Sequence, residues 1–480
     1  MMKKLFVFLL CGNLFTAMAA FNSTAIWQTS TVIGDDTNAG GAYDPSVSFP
    51  GTNESLAAAT ALTLTLSGSG TTATSSPAFS ATTHGPGNFI QITGGSGCTT
   101  GTYEMLTFTL AGLIGTFDRT MGSASSICTA YMGGPSLTLG HVAGLVVTGN
   151  QVCVKADGTY SLTSNLTITA TSGAASTVTI WQGYGTTCGD RTQAVVQAGA
   201  NGLTGMFTMS NQATQVSSFI LDCNSTTGTV RGINITSAND VVDNVLVKNC
   251  GTNGILAATN YPVTIINTRV TGSLSLCNAG IGFTGTGIMT LLGVLVDANQ
   301  CHGLLTGGNV FMANSIFANN TGATTDGFRW TGTWSSALSI MNSVFYGNGE
   351  YGFNATTTSA DNVVFLRNNI AYGNATKNFQ FFSVGSASNI NVDYNAYPTG
   401  TNTHYPIGPH DQAITGDPTV GCGGSTPNCA LNTTAGAGAL LQSAGFPGAL
   451  QVGGTGYLAI GALQPQTTVG SGATSYIYAQ

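Results

Sequence analysis

Four residues of this chain have the types and spacing to move protons. His302, Asp326, Tyr351 and Lys377 open four successive units, His302-Gly-Leu304, Asp326-Gly-Phe328, Tyr351-Gly-Phe353 and Lys377-Asn-Phe379, with Glu350 one place before Tyr351. If each unit belongs to a stacked parallel strand, neighbours lie about 4.8 Å apart, and His302 and Asp326 come within reach of a shared hydrogen bond. A carboxylate beside an imidazole orients it as a base, and a tyrosine or lysine can pass the proton on. The plainer reading is a solvated ladder of surface charges, each pair worth under about 1 kcal/mol.

A second set is aromatic. Trp330, Trp334, Tyr346, Tyr351 and Tyr372 would give a sugar-stacking face, and Tyr346 and Tyr372 hold the same place in consecutive units, as a platform for a sugar ring requires. Ordinary stacking between coils explains the same pair. A third set is Asp222, Lys248, Thr271 and Asp297, with Arg269 nearby. Calcium wants clustered carboxylates, whereas these two aspartates are about three units apart with a lysine between them. No cofactor is expected, and calcium is the one ion the pattern would admit.

The elements that must position these residues are written in a repeat. Asn244-Val-Leu-Val-Lys248-Asn-Cys250 returns as Asn267-Thr-Arg-Val-Thr271-Gly-Ser273 and Gly293-Val-Leu-Val-Asp297-Ala-Asn299. It continues as Asn314-Ser-Ile-Phe-Ala318-Asn-Asn320, Asn342-Ser-Val-Phe-Tyr346-Gly-Asn348 and Asn368-Asn-Ile-Ala-Tyr372-Gly-Asn374, after a diverged copy at Ser218. A period of about 25 residues with one such strand per copy is a solenoid signature. The column Leu221, Val247, Val270, Val296, Phe317, Phe345, Ala371 never admits a charge and is assigned to the core. The column before it, which includes Arg269, faces outward or lies inward at a bend. The asparagines are read as scaffold, because Asn tolerates left-handed backbone and its amide can bond the amide above and below. The glycine after His302, Asp326 and Tyr351 is read as a turn residue.

Only 6% of the 480 residues are charged, 66 are glycine and the formal net charge is −7. That balance excludes a nucleic-acid binder, which needs a basic surface, and 42% hydrophobic residues argue against disorder. Lys3 and Lys4, the apolar run Leu5 to Leu10 and Ala17-Met-Ala19 read as a Sec signal peptide, so the protein is expected to be secreted, extracellular and without a membrane span. Without Cys11, ten cysteines remain. Neighbour order pairs Cys98 with Cys128, Cys153 with Cys188, Cys223 with Cys250, Cys277 with Cys301 and Cys422 with Cys429, the alternative being buried free thiols. Residues 20–150 form an N-terminal β-rich part, whose alternating runs Leu62 to Leu66, Phe89 to Ile92 and Met105 to Leu110 read as antiparallel strands. Ser67 to Pro77 reads as a flexible loop and Gly94 to Gly97 as a turn.

From Gln151, short strands broken by turns (Val152-Cys-Val-Lys155, Gly158-Thr-Tyr160, Leu166-Thr-Ile168, Val178-Thr-Ile-Trp181) lead into the Asn-strand-Asn coils. This succession resembles the right-handed parallel β-helix proteins of the pectin-lyase-like superfamily. Asp393-Tyr-Asn-Ala-Tyr397, Asp417-Pro418, Ser443-Ala-Gly-Phe and Ile460-Gly-Ala462, which Ala459 precedes, are similar to the closing segment of secreted bacterial members, which would cap the open end of the last coil. The resemblance implies an all-β fold, a right-handed parallel β-helix of about ten coils, divided as signal peptide 1–19, N-terminal region 20–150, β-helix 151–405 and C-terminal cap and tail 406–480. It does not imply one activity, because the superfamily holds lyases, hydrolases, tailspikes, adhesins and non-enzymes. A pectate-lyase-like Arg-x-Pro-x-x-Arg is absent. The polygalacturonase-like set is absent too: the one Asp-Asp pair is Asp35-Asp36, and the nearest approach to Gly-His-Gly is Cys301-His302-Gly303. The expected function is therefore a surface, adhesive or structural protein recognising polysaccharide or a cell-surface glycan along its outer face. A polysaccharide lyase or glycoside hydrolase is the runner-up and a trimeric tailspike-like protein the third reading, with the oligomeric state open.

Overall fold

The computed structural model describes residues 24–41, 59–79, 85–109, 113–168, 178–224, 229–274, 277–322, 324–332, 336–356, 362–381, 390–432 and 436–441. The segment expected to be a signal peptide, Trp334 and the expected closing motifs at Ser443 and Ala459 lie outside the described residues.

Each coil of the repeat carries three strands. In one coil these are Val263–Ile266, Arg269–Thr271 and Ala279–Phe283, in the next Ile288–Leu292, Leu295–Asp297 and His302–Thr306. First and second strands stack in one 20-stranded sheet, and third strands in a parallel 9-stranded sheet. The registers are in step with the repeat: Val247 pairs with Val270, Val270 with Val296, Val296 with Phe317 and Phe317 with Phe345. The chain is a parallel β-helix. Its interior is the expected column, Leu221 to Ala371, every member fully buried, with Phe317 and Phe345 stacked at 5.9 Å.

The two asparagine columns do different work. The leading one kinks the chain between first and second strands: Asn244, Asn267, Asn314, Asn342 and Asn368 all have positive φ, and glycine takes over at Gly293. The trailing one is a buried amide ladder, Asn299 to Asn320 at 2.9 Å, Asn320 to Asn348 at 2.9 Å and Asn348 to Asn374 at 2.8 Å. It also donates to carbonyls of the second strands, Asn320 Nδ2 to that of Val296 at 3.2 Å and Asn348 Nδ2 to that of Phe317 at 3.1 Å.

The glycines after the ladder are not turn residues. Gly254, Gly280 and Gly303 lack positive φ, and an added Cβ would lie 2.4 Å from Val270 Cγ1, 2.9 Å from Val296 Cγ1 and 2.9 Å from Phe317 Cδ1 respectively. The third strand passes so close to the core column of the second that no side chain fits between them.

Thr60–Ser67, Thr72–Ser76, Phe89–Gly94, Gly101–Thr109, Ile114–Phe117 and Ile127–Met132 close into a barrel with its own core. Here the expected loop from Ser67 to Pro77 is instead a hairpin, because Gly68 and Gly70 supply positive φ at the turn and Thr72 to Ser76 pair back onto the strand. Gly95 and Gly97 turn with positive φ as expected. Ile26–Thr29 pairs in parallel with Gln151–Lys155, so the barrel is carried between two strands of the solenoid sheet.

All five neighbour disulfides are formed. Five such bridges fit an oxidising, extracellular compartment, and among the described residues no helix is long and apolar enough to cross a membrane.

At the C-terminal end, Gln412–Ile414 adds to Ala396–Pro398 as a further rung. The chain then runs back along the outside. Ile316, Val344, Ile370 and Ala396, on the outward side of the second strands, are buried beneath Ile414, Cys422, Cys429, Leu431 and Leu441. This arm is pinned by Tyr346 Oη to Asp417 at 2.8 Å, Asn319 to the Cys422 carbonyl at 3.0 Å and Arg269 to the Ser425 carbonyl at 2.7 Å.

Candidate functional site

Register places the proton-moving residues in one column. Leu304 pairs with Phe328, Phe328 with Phe353 and Tyr351 with Lys377, so His302, Asp326, Tyr351 and Lys377 follow one another at the start of four third strands. The chemistry within the column differs from that expected. His302 Nδ1 accepts the backbone N–H of Asp326 at 3.0 Å, while the Asp326 carboxylate oxygen is 3.7 Å away. With Nδ1 so occupied, the neutral ring carries its proton on Nε2, and the shared hydrogen bond of a carboxylate-oriented base is not made. Asp326 is sealed from solvent, with one oxygen bonded to Asn354 Nδ2 at 2.9 Å and the other to the Tyr351 N–H at 3.3 Å.

Burial decides the charges. It pushes the Asp326 carboxyl up to about 7, with Glu350 adding to the rise. It lowers His302 to about 4, helped by the Arg329 guanidinium. Both groups are therefore neutral across the window between, and the pair is not a salt bridge there. Tyr351 is raised by burial and then by Glu350. Among the described residues Lys377 Nζ reaches the Gly400 carbonyl alone, at 3.4 Å.

Sequence reasoning missed Arg329. Its Nη1 lies 3.5 Å from His302 Nε2, two donors face to face. Arg119, Arg191 and Arg269 are each within 4 Å of a carboxylate, whereas Arg329 makes no ion pair among the described residues. Its outward position on the strand Phe328–Trp330 could have been read from the alternation Phe-Arg-Trp. Beside His302 lies an open depression of about 520 Å³ lined by Asn278, Gln300, Thr321, Thr324 and Thr325 and walled by the Cys277–Cys301 bridge. Its accessible groups are amides and hydroxyls.

The aromatic set divides. Tyr346 and Tyr372 are in register and stacked at 6.1 Å, but Tyr346 is tied to Asp417 and both pack against the arm. Trp330 has no exposed surface and donates its indole N–H to the Gly308 carbonyl at 3.0 Å, so it is a core residue and not a sugar platform. The acidic set is engaged as well: Asp222 meets Lys248 at 3.1 Å, and Asp297 holds Arg269 through two bonds of 2.8 and 2.7 Å. Among the described residues no group of three metal-ligating side chains occurs. A second histidine–carboxylate contact, His410 Nδ1 to Asp393 at 2.9 Å with Tyr394 stacked on the ring, was not foreseen, because His410 comes from outside the repeat.

No protein-family model and no curated protein sequence matches the chain. Three solved structures are similar in chain course. A pectate lyase, Pel9A, is 15% identical with a TM-score of 0.46, covering 69% of this chain and 92% of its own. The catalytic unit of a GH87 α-1,3-glucanase from Streptomyces thermodiastaticus is 11% identical, with a TM-score of 0.21 over 72% and 87%. The Gp54 tailspike of Acinetobacter baumannii bacteriophage AP22, solved with capsular saccharide, is 9% identical, with a TM-score of 0.17 over 73% and 66%. At such scores the likeness says nothing of chemistry.

Proposed function

We propose that this is an extracellular β-helix protein that binds polysaccharide on the outer face of its third strands without cleaving it, exported by its Sec-type leader and serving as a surface or adhesive component. The observation that carries the reading is the state of His302. Its Nδ1 is spent on a backbone amide and its Nε2 is a donor, so the one histidine of the column can hold a hydroxyl but cannot take a proton from it. The neutral depression beside it suits sugar hydroxyls, and Arg329 adds a cation for ligand oxygen atoms. Tyr351 and Lys377 continue the same column and extend the contact surface along the coil stack.

The test is to incubate the purified protein with a panel of neutral and uronate polysaccharides, following gel retardation, ultraviolet absorbance and reducing ends. Retardation by at least one glycan, weakened roughly tenfold or more in Arg329→Ala, with no new reducing ends, is expected. Cleavage that disappears in His302→Ala would overturn the non-catalytic reading and restore the lyase or hydrolase.

A further inference from the structure

The outer face of the second strands is covered by the C-terminal arm, whereas the adjoining face of the first strands has no such cover among the described residues. One outward column of that face reads, rung by rung, Asp243, Ile266, Leu292, Ala313, Met341, Arg367. Over these six rungs it runs from an anion through four apolar residues to a cation; Ser217 precedes it, and the next member after Arg367, Asp393, is tied to His410 at 2.9 Å. None of its four apolar members faces the interior, and Ile266, Leu292 and Met341 keep solvent-accessible surface. We infer that this face is self-complementary and joins two copies of the chain through a two-fold axis lying along the strand direction.

Such an axis reverses the order of rungs and keeps each column opposite itself. Asp243 of one copy then meets Arg367 of the other, at both ends of the patch. Ile266 meets Met341, and Leu292 stands over the small Ala313. The neighbouring outward column obeys the same match of large against small: Phe365, which is 42% exposed, falls opposite Val241, and Phe311 opposite Thr290. A head-to-head arrangement with the rung order kept would instead put Asp243 against Asp243 and Arg367 against Arg367. Charge complementarity therefore selects the reversed pairing. At one end Asp243 also binds Arg191 at 3.0 Å, and at the other Arg367 donates to Asn391 at 2.9 Å, so each partner is already held in place. The patch is about 24 Å by about 16 Å, roughly 400 Å² per copy. That is about half a standard interface, so the dimer is weak and concentration-dependent.

The mass of the full chain in solution, followed by light scattering over a wide concentration range, tests this. The wild-type protein is expected to move from one to two chain masses, and Arg367→Asp to stay at one over the same range. The double exchange Asp243→Arg with Arg367→Asp should bring the dimer back. Leu292→Lys, which disturbs no ion pair, is expected to be monomeric and stands in if the exchanged protein does not fold by circular dichroism. A wild-type chain that stays monomeric, an Arg367→Asp or Leu292→Lys protein that still dimerises, or a folded double exchange that stays monomeric overturns the inference. So does retention of a polysaccharide by this face, lost in Phe365→Ala, in a chain that never self-associates.

Discussion

Asp240 is an acid in a place built for hydrocarbon. It shares an inward column with Thr214 and Val263, is fully buried, accepts the Thr214 N–H through one oxygen at 2.9 Å and has no partner for the other among the described residues. Burial pushes its carboxyl from 3.8 up to about 8. The folded chain therefore keeps a proton that the unfolded chain gives up, and this group's contribution to stability falls as pH rises from 3.8 to about 8. His302 acts in the opposite sense. Its value drops from 6.5 to about 4, chiefly by burial and then by Arg329, so the unfolded chain holds the extra proton and stability rises with pH over that window. Asp240→Asn removes the first contribution alone. Urea midpoints should show the variant gaining on the wild type between about pH 5 and about pH 8; a gap that stays constant with pH would mean that Asp240 is ionised in the fold. None of this is legible in the sequence, where Asp240 sits beside the repeat like any polar residue before a strand.

At the scale of the element, the repeat could be read because stacking imposes the same demand on every coil. The apolar column and the amide ladder follow from a period and a strand geometry, as does the Cys223–Cys250 bridge, while the other cysteine pairs are read from neighbour order. What escaped was contact between elements of one coil. Trp330 reads as a surface aromatic by residue type alone, whereas the alternation Phe-Arg-Trp puts it on the inner side with Phe328, and Arg329 outside. The glycine after His302 looked like a turn because glycine usually marks one, yet its φ is ordinary and its neighbour is the ring of Phe317. Gly303→Ala should accordingly cost about 1–3 kcal/mol through overpacking. Gly416→Ala, where an added Cβ meets nothing within 4 Å, is the control and should stay within about 0.5 kcal/mol. Equal denaturation midpoints for the two variants would refute the packing account. The tautomer of His302 was out of reach for a different reason: it depends on the backbone amide of the next coil, a contact fixed only once the register is known.

At the scale of the whole molecule, a solenoid is a stack in which each layer touches only its neighbours, and such stacks unravel from their ends. Here the arm crosses from the rung of Ala396 to that of Arg269, about 24 Å along the stack. It fastens the last coil to one five layers earlier, and the terminal coils cannot peel away one at a time without first releasing Tyr346, Asn319 and Arg269. Native-state hydrogen exchange should therefore find the strands from Arg269 to Pro398 opening together. In an Asp417→Asn, Arg269→Ala double variant, amides of Ile370–Tyr372 and Ala396–Pro398 should exchange well before those of Arg269–Thr271. A gradient already present in the wild type would refute this. The arm thus changes the statistics of the molecule more than its shape. A chain of weakly linked layers becomes one cooperative block, which resists stepwise trimming by proteases for as long as that single fastening holds.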